Sequence, residues 1–366
     1  MKPMNFVTVL LLMMPFTMMI TGCKNTVSPV AVRQPVDTIG FATHSWQTDS
    51  VLARIERLQA VELNEAAALF DPSEALRMAI SPHDDYTYVG YLYPALLQHV
   101  KSDVVILFGV GHKAKSFGLE DKIVFGSYSR WKSPGGEIRV SDLQQSILKR
   151  LPGEMYVVHD SLQAAEHSLE ALIPFLEHYN PDVEIIPVII PCMPFERMEA
   201  IADALAPAIR QTMDEASLAW GRGWSIVIST DAVHYGNEDW GGSNYDRFGA
   251  DTAGYIKAVE YEKQIMNTML AGELTTAKIR QFSESTVMDD DYRQYKWTWC
   301  GRYAVPLGLL TAYRISEFEE APLTGISVGY STSIADCPVP VSDLGMGVTA
   351  PAKLTHWVGY AAVGYR

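Results

Sequence analysis

Four short polar clusters hold the residues whose types and spacing could do chemistry. His83 stands in Ser81-Pro82-His83-Asp84-Asp85-Tyr86, and His112 ends Gly109-Val110-Gly111-His112. Glu166-His167-Ser168 is the third cluster and Ser229-Thr230-Asp231-Ala232-Val233-His234-Tyr235 the fourth. Two imidazoles and one further ligand hold a divalent transition metal and leave positions open for substrate. His83 and His112 suit that role, because each stands just past an apolar run beside a glycine or proline turn. His167 is a candidate general acid/base, since an imidazole titrates near working pH. Asp231 and His234 could orient a substrate or complete the metal shell. Glu166 is either a catalytic carboxylate or a charge at a helix start that favours the macrodipole. Asp84, Asp85, Tyr86 and Tyr235 are the candidate substrate contacts, and Tyr88, Trp240 and Trp299 are further aromatics that could border a pocket. His44, His99, His159 and His178 read as surface or satisfied core histidines.

These clusters follow apolar runs that could position them. Leu76–Ile80, Val104–Phe108, Glu184–Ile190 and Trp224–Ser229 are short and continuously apolar, which is how strands covered on both faces read. Val51–Phe70, Tyr91–Val100, Leu162–Tyr179, Arg197–Met213 and Asp251–Leu270 carry helical spacing, so the Glu166 cluster is expected to lie on a helix. Leu323–Ser331 and Thr355–Tyr365 alternate and are rich in Val and Tyr, as strands are. The alternation predicts one α/β domain, a central mostly parallel or mixed β-sheet flanked by helices. Ligands of such sheets bind beyond the carboxyl ends of the strands, where all four clusters could converge.

The chain of 366 residues is 48% hydrophobic, enough for a large core, and carries a net charge of −14, which argues against nucleic acid as a partner. Lys2 followed by the apolar run Phe6–Ile20 and by Ile20-Thr21-Gly22-Cys23 has the layout of a lipoprotein signal peptide. The expected organisation is a signal peptide over 1–22, a tether over 23–49 lipidated on Cys23, and a domain over 50–366, anchored to a bacterial envelope membrane. Cys192, Cys300 and Cys337 remain, an odd number that leaves at least one free thiol. A serine hydrolase is disfavoured, because the chain has no Gly-x-Ser-x-Gly elbow.

The blocks Pro-His-Asp-Asp-Tyr-Thr-Tyr-Val-Gly (82–90), Gly-Val-Gly-His (109–112), Glu-His-Ser-Leu-Glu (166–170) and Ser-Thr-Asp-Ala-Val-His-Tyr-Gly (229–236) resemble, in order, those of the Memo family. Ile-Ile-Pro-Val (185–188), Cys-Gly-Arg (300–302) and Tyr-Ala-Ala (360–362) match as well. Bacterial members of that family are described as AmmeMemoRadiSam system protein B. The resemblance implies a fold similar to class III extradiol (LigB) dioxygenases, which use non-haem iron. It implies metal-ligand positions at His83 and His112 and an acid/base position at His167. It also places Val233 where animal Memo proteins have a metal-binding cysteine, Leu172 at a family histidine position, and Asp84-Asp85 in place of Ala-Gly. On that reading a third ligand comes from Asp231, His234, Glu166 or water.

Two functions follow as expectations. One is a metal-dependent, dioxygenase-like oxidoreductase on a small cyclic or phenolic substrate, with Fe²⁺ as the first choice of metal. The other is a non-catalytic protein that binds a peptide, glycan or small molecule on the same scaffold at the membrane surface.

Overall fold

The structure is a computed structural model that describes Met1 and residues 32–236 and 245–366. The apolar run, Cys23 and Trp240 lie outside the described residues. Among the described residues no helix is long and apolar enough to cross a membrane.

Five parallel strands form the centre of one large sheet, in the order Gly136–Val140, Glu184–Ile190, Val104–Val110, Trp224–Ser229 and Met78–Ser81. His356–Tyr365 pairs antiparallel with Met78–Ser81, and Thr324–Thr332 pairs antiparallel with it in turn, so the sheet is mixed. The expected α/β class and all six strand runs are therefore present.

Successive residues of a strand point to opposite faces, and the apolar runs use both. Ile106, Phe108, Ile186, Val188, Ile226 and Ile228 join one core with the helices Phe195–Glu215 and Ala304–Phe318. Val105, Leu107, Ile185, Ile189 and Val227 join a second core with Ser45–Leu58, Leu92–Leu97 and Ile173–Tyr179. The helix Ala304–Phe318 comes close to the sheet because Gly308 faces Phe108 and Ile228, where a Cβ would stand 3.0 Å from the Phe108 ring.

Three local expectations change. Val51–Phe70 is not one helix but parts of two, Ser45–Leu58 and Ala60–Ala67, divided at Gln59. Leu162–Tyr179 is not one helix but two, Asp160–Ala165 and Ile173–Tyr179, and the Glu166 cluster occupies the break. Glu166 itself is extended, at φ −101° and ψ 132°, so its carboxylate is not a helix-start charge. The polar segment read as a tether is, from Val32 on, part of the folded body. Val32–Arg33 pairs with Arg130–Ser133, and Arg33 and Phe41 are buried. Its low hydrophobicity concealed this, because the segment is held by hydrogen bonds and one buried ion pair.

Candidate metal centre

Three strands end at the site. Met78–Ser81 runs into Pro82 and His83, Val104–Val110 into Gly111 and His112, and Trp224–Ser229 into Asp231 and His234. Their parallel register brings the three carboxyl ends together, as the sequence reading required. One cavity of about 140 Å³ is lined by His83, Asp84, His112, His167, Asp231 and His234, with Asp37, Phe41 and the segment Thr349–Pro351 closing its rim. The His112 and His167 rings stack with centroids 5.0 Å apart, and His83 stands edge-on to His112 at 5.4 Å.

The His83 and His112 imidazoles are each oriented from behind. The Ser229 hydroxyl donates to the Ser168 carbonyl, so toward His83 Nδ1, 2.9 Å away, Ser229 Oγ offers a lone pair. His83 therefore carries its proton on Nδ1 and presents Nε2 as a lone pair. That Nε2 lies 3.3 Å from Asp231 Oδ2, and Asp231 Oδ1 accepts the His83 backbone N–H at 3.0 Å. His112 Nδ1 bonds Glu166 Oε1 at 2.8 Å, which leaves its Nε2 for a ligand. Glu166 also accepts backbone N–H groups from Lys113, His167 and Ser168. A carboxylate behind a histidine is the usual support of a metal-ligating imidazole. Glu166 thus supports His112 from behind and does not line the cavity.

Charges at the site are moved mainly by burial. Desolvation, and then the neighbouring His112, His167 and His234, hold His83 well below its ordinary value. Burial, His112 and His356 bring His234 down to about 3, and burial and His112 lower His167. Burial would raise Glu166, but the charge and hydrogen bond of His112, with His167 and the Lys113 N–H, bring it down to about 2. Asp84 is pushed up to about 7 by burial and by Asp85, and Asp231 is raised by burial and Asp84.

The candidate ligand that the sequence reading missed is Cys300. Its Sγ lies 3.8 Å from His83 Nε2 and accepts the Asp231 backbone N–H at 3.1 Å. Val233 was assigned the thiol's position, but Val233 is fully buried in the core below, while the thiol arrives from residue 300. The Cys-Gly-Arg match was the available signal. Gly301 is required there, because its backbone N–H meets Thr230 Oγ1 at 2.9 Å and a Cβ would collide with Thr230. Glu262 ties the two segments together: fully buried, it accepts Trp297 Nε1 at 2.5 Å, Trp299 Nε1 at 2.7 Å, the Val233 N–H at 3.1 Å and Tyr330 Oη at 3.3 Å. Thr298 adds hydrogen bonds to the backbone of His234.

Among the described residues three groups bring three donor atoms within 4.8 Å of one another: His83, His112 and Cys300; Asp231, His234 and Cys300; and His112, Glu166 and His167. In the last group Glu166 is already committed to His112 Nδ1. The first presents two imidazoles and a thiol. Nitrogen and sulfur ligands of one tetrahedral ion stand roughly 3.6 Å apart, from bonds of about 2.0–2.1 and 2.3 Å. The 3.8 Å between His83 Nε2 and Cys300 Sγ is close to that. The donor set therefore fits a divalent transition metal.

Three expected substrate contacts are elsewhere. Tyr86 is buried among Phe41, Tyr93 and Phe175, its hydroxyl donating to the Ala171 carbonyl at 3.1 Å. Tyr235 stacks on Trp357 and donates to the Gly249 carbonyl at 3.0 Å. Asp85 accepts the N–H groups of Thr349 at 2.6 Å and Ala350 at 2.8 Å, so it holds the rim instead of lining the cavity. Asp84 alone of these four faces the cavity, its Oδ2 accepting Tyr360 Oη at 2.8 Å. Tyr88 and Trp299 are absent from the lining. Cys192, Cys300 and Cys337 are all free thiols.

The family model described as Memo-like protein matches residues 47–339. A MEMO1 family protein of Pyrobaculum arsenaticum is 30% identical over 163 residues, 43% of this chain and 52% of the relative. One of Pyrococcus furiosus is 24% identical over 283 residues, 72% of this chain and 87% of the relative. The match to the Pyrobaculum relatives thus spans about half of their length, 52% in one and 54% in another.

Proposed function

The chain belongs to the Memo family, and from its site we propose a metal-dependent oxidoreductase, dioxygenase-like, that acts on a small single-ring or phenolic substrate. The observation that carries the proposal is the convergence of His83, His112 and Cys300 on one cavity. A divalent transition metal there, Fe²⁺ in first place, would supply Lewis acidity and electron exchange with O₂. His83 and His112 would hold it through Nε2, Cys300 through its thiolate. His167, neutral at working pH because burial lowers its pKa, faces the same cavity and would take the proton of a bound hydroxyl. Asp231 and His234, which line the same cavity, would orient the ligand.

The cavity size supports a small ligand over a peptide. An apolar cavity of roughly 150 Å³ holds one benzene ring, while pockets for larger ligands run from about 300 Å³ upward. At about 140 Å³ this one suits a single ring. We further propose that a lipid on Cys23 anchors the protein to a bacterial envelope membrane, on the strength of the Lys2, Phe6–Ile20 and Thr21-Gly22-Cys23 pattern. Labelling with radioactive palmitate, lost in Cys23→Ala, tests that anchor.

Metal content of the chain, purified anaerobically without a histidine tag, tests the centre. Near-stoichiometric iron or another transition metal, lost in the His83→Ala/His112→Ala double variant, is expected. Stoichiometric metal retained by that variant would refute the assignment.

A further inference from the structure

Half of the twelve residues that line the cavity come from outside the segment that the family model matches. Asp37 and Phe41 precede residue 47, and Thr349, Ala350, Pro351 and Val358 follow residue 339. The first wall is a strap, residues 32–43, held by buried charge. Arg33 forms an ion pair with Glu170 at 2.6 Å, lies over the Trp131 ring at 4.1 Å and donates to the carbonyls of Gln163 and Glu166. Glu170 in turn accepts the N–H groups of Val36 at 2.8 Å and Asp37 at 2.9 Å. Asp37 Oδ1 accepts those of Ile39 and Gly40, which turns the chain so that Phe41 packs inward. The Gly347 N–H donates to the Ile39 carbonyl at 2.8 Å and joins the strap to the opposite wall.

Behind the strap lies a second cavity of about 270 Å³, lined by Pro35, Ala42, Trp131, Ile173 and Pro174 among others. Asp37 and Phe41 line both cavities, and Phe41 is only 5% exposed. Its ring is the bulkiest side chain the two share. Together the chambers hold roughly three times the volume of the inner one.

Resting on the single-ring reading above, we infer that Phe41 is a specificity-determining residue: it limits the ligand at the metal centre to one ring and separates it from a latent subsite between Pro35, Ala42, Ile173 and Pro174. A two-ring phenol exceeds the inner chamber; with the Phe41 ring removed, its second ring can enter the outer one, against Ile173 and Pro174.

The experiment compares two probes, catechol and 2,3-dihydroxybiphenyl, on the full-length Co²⁺-loaded chain in mild detergent and without oxygen. Binding is read from the Co²⁺ visible spectrum and by calorimetry. The unchanged chain should bind catechol at least about tenfold more tightly than the biphenyl, in the range that a pocket achieves by size alone. Phe41→Ala should gain about tenfold or more for the biphenyl while catechol stays within about threefold. Phe41→Leu should lie between and Phe41→Trp should gain nothing; circular dichroism checks each fold, and Phe41→Leu decides if Phe41→Ala does not fold. Equal affinity of the unchanged chain for both probes, no gain in the folded smaller variants, or no binding of either probe overturns the inference. Should Co²⁺ fail to bind, the metal assignment falls, while the calorimetric ratio of the two probes still decides the role of Phe41.

Discussion

Cys300 Sγ lies 3.8 Å from His83 Nε2, although 217 residues separate them in the chain. The thiol is buried, and burial together with Asp231 raises its pKa well above the ordinary value in the metal-free protein. A divalent cation reverses that preference, because a ligating thiol is deprotonated. Cys300→Ser is therefore expected to remove the near-ultraviolet sulfur-to-metal absorption of the Co²⁺ form and to weaken metal binding at least about tenfold. Retention of that absorption would assign the sulfur elsewhere.

Glu166 holds His112 from behind at 2.8 Å. Glu166→Gln should lower metal affinity by roughly 10–100-fold, the usual cost of losing such a support. The same residue predicts a pH dependence. Its folded pKa, about 2, lies below its ordinary 4.5. The stabilisation is thus fully present above about pH 4.5 and is lost as pH falls toward 2. In the metal-free protein the gap in denaturant midpoint between the unchanged chain and Glu166→Gln should shrink as pH falls below 4. A gap independent of pH would exclude the ionised carboxylate as its source.

Glu262 shows the opposite sign. Burial pushes its folded pKa up to about 7, against the pull of four donors. Ionisation therefore opposes folding increasingly as pH rises from about 4.5 through 7. Glu262→Gln should gain on the unchanged chain between pH 5 and 8, measured by urea unfolding. Glu262→Leu, which leaves the indole and backbone donors without an acceptor, should lose about 3 kcal/mol or more at either pH.

Arg33 and Glu170 form an ion pair whose side chains are 1% and 6% exposed. Removing one partner of such a pair leaves an uncompensated buried charge, at a cost of about 3–5 kcal/mol. Glu170→Ala should free the strap as well, because Glu170 accepts the N–H groups of Val36 and Asp37. Limited proteolysis should then cut within residues 32–43 before the remaining body is degraded. Equal resistance of the strap in both proteins would contradict that anchoring role.

Much of the arrangement was legible in the residues alone. The apolar runs at 104–110, 184–190 and 224–229 could bury both faces only as central strands, and parallel strands put their carboxyl ends, with His83, His112, Asp231 and His234, on one side. Periodicity and turn chemistry are local properties, so they can be read along the chain. Tertiary structure decided what depends on contacts distant in sequence. Cys300 reaches His83 only because Gly301 allows the chain against Thr230 and Glu262 ties residues 297–299 to Val233. Tyr86 and Tyr235, beside site residues in sequence, face the core, since neighbouring side chains leave a turn in different directions. The segment after Val32 looked like a tether because its polarity gave no apolar pattern. A buried Arg33–Glu170 pair holds it instead, and no local signal announces a partner more than a hundred residues away.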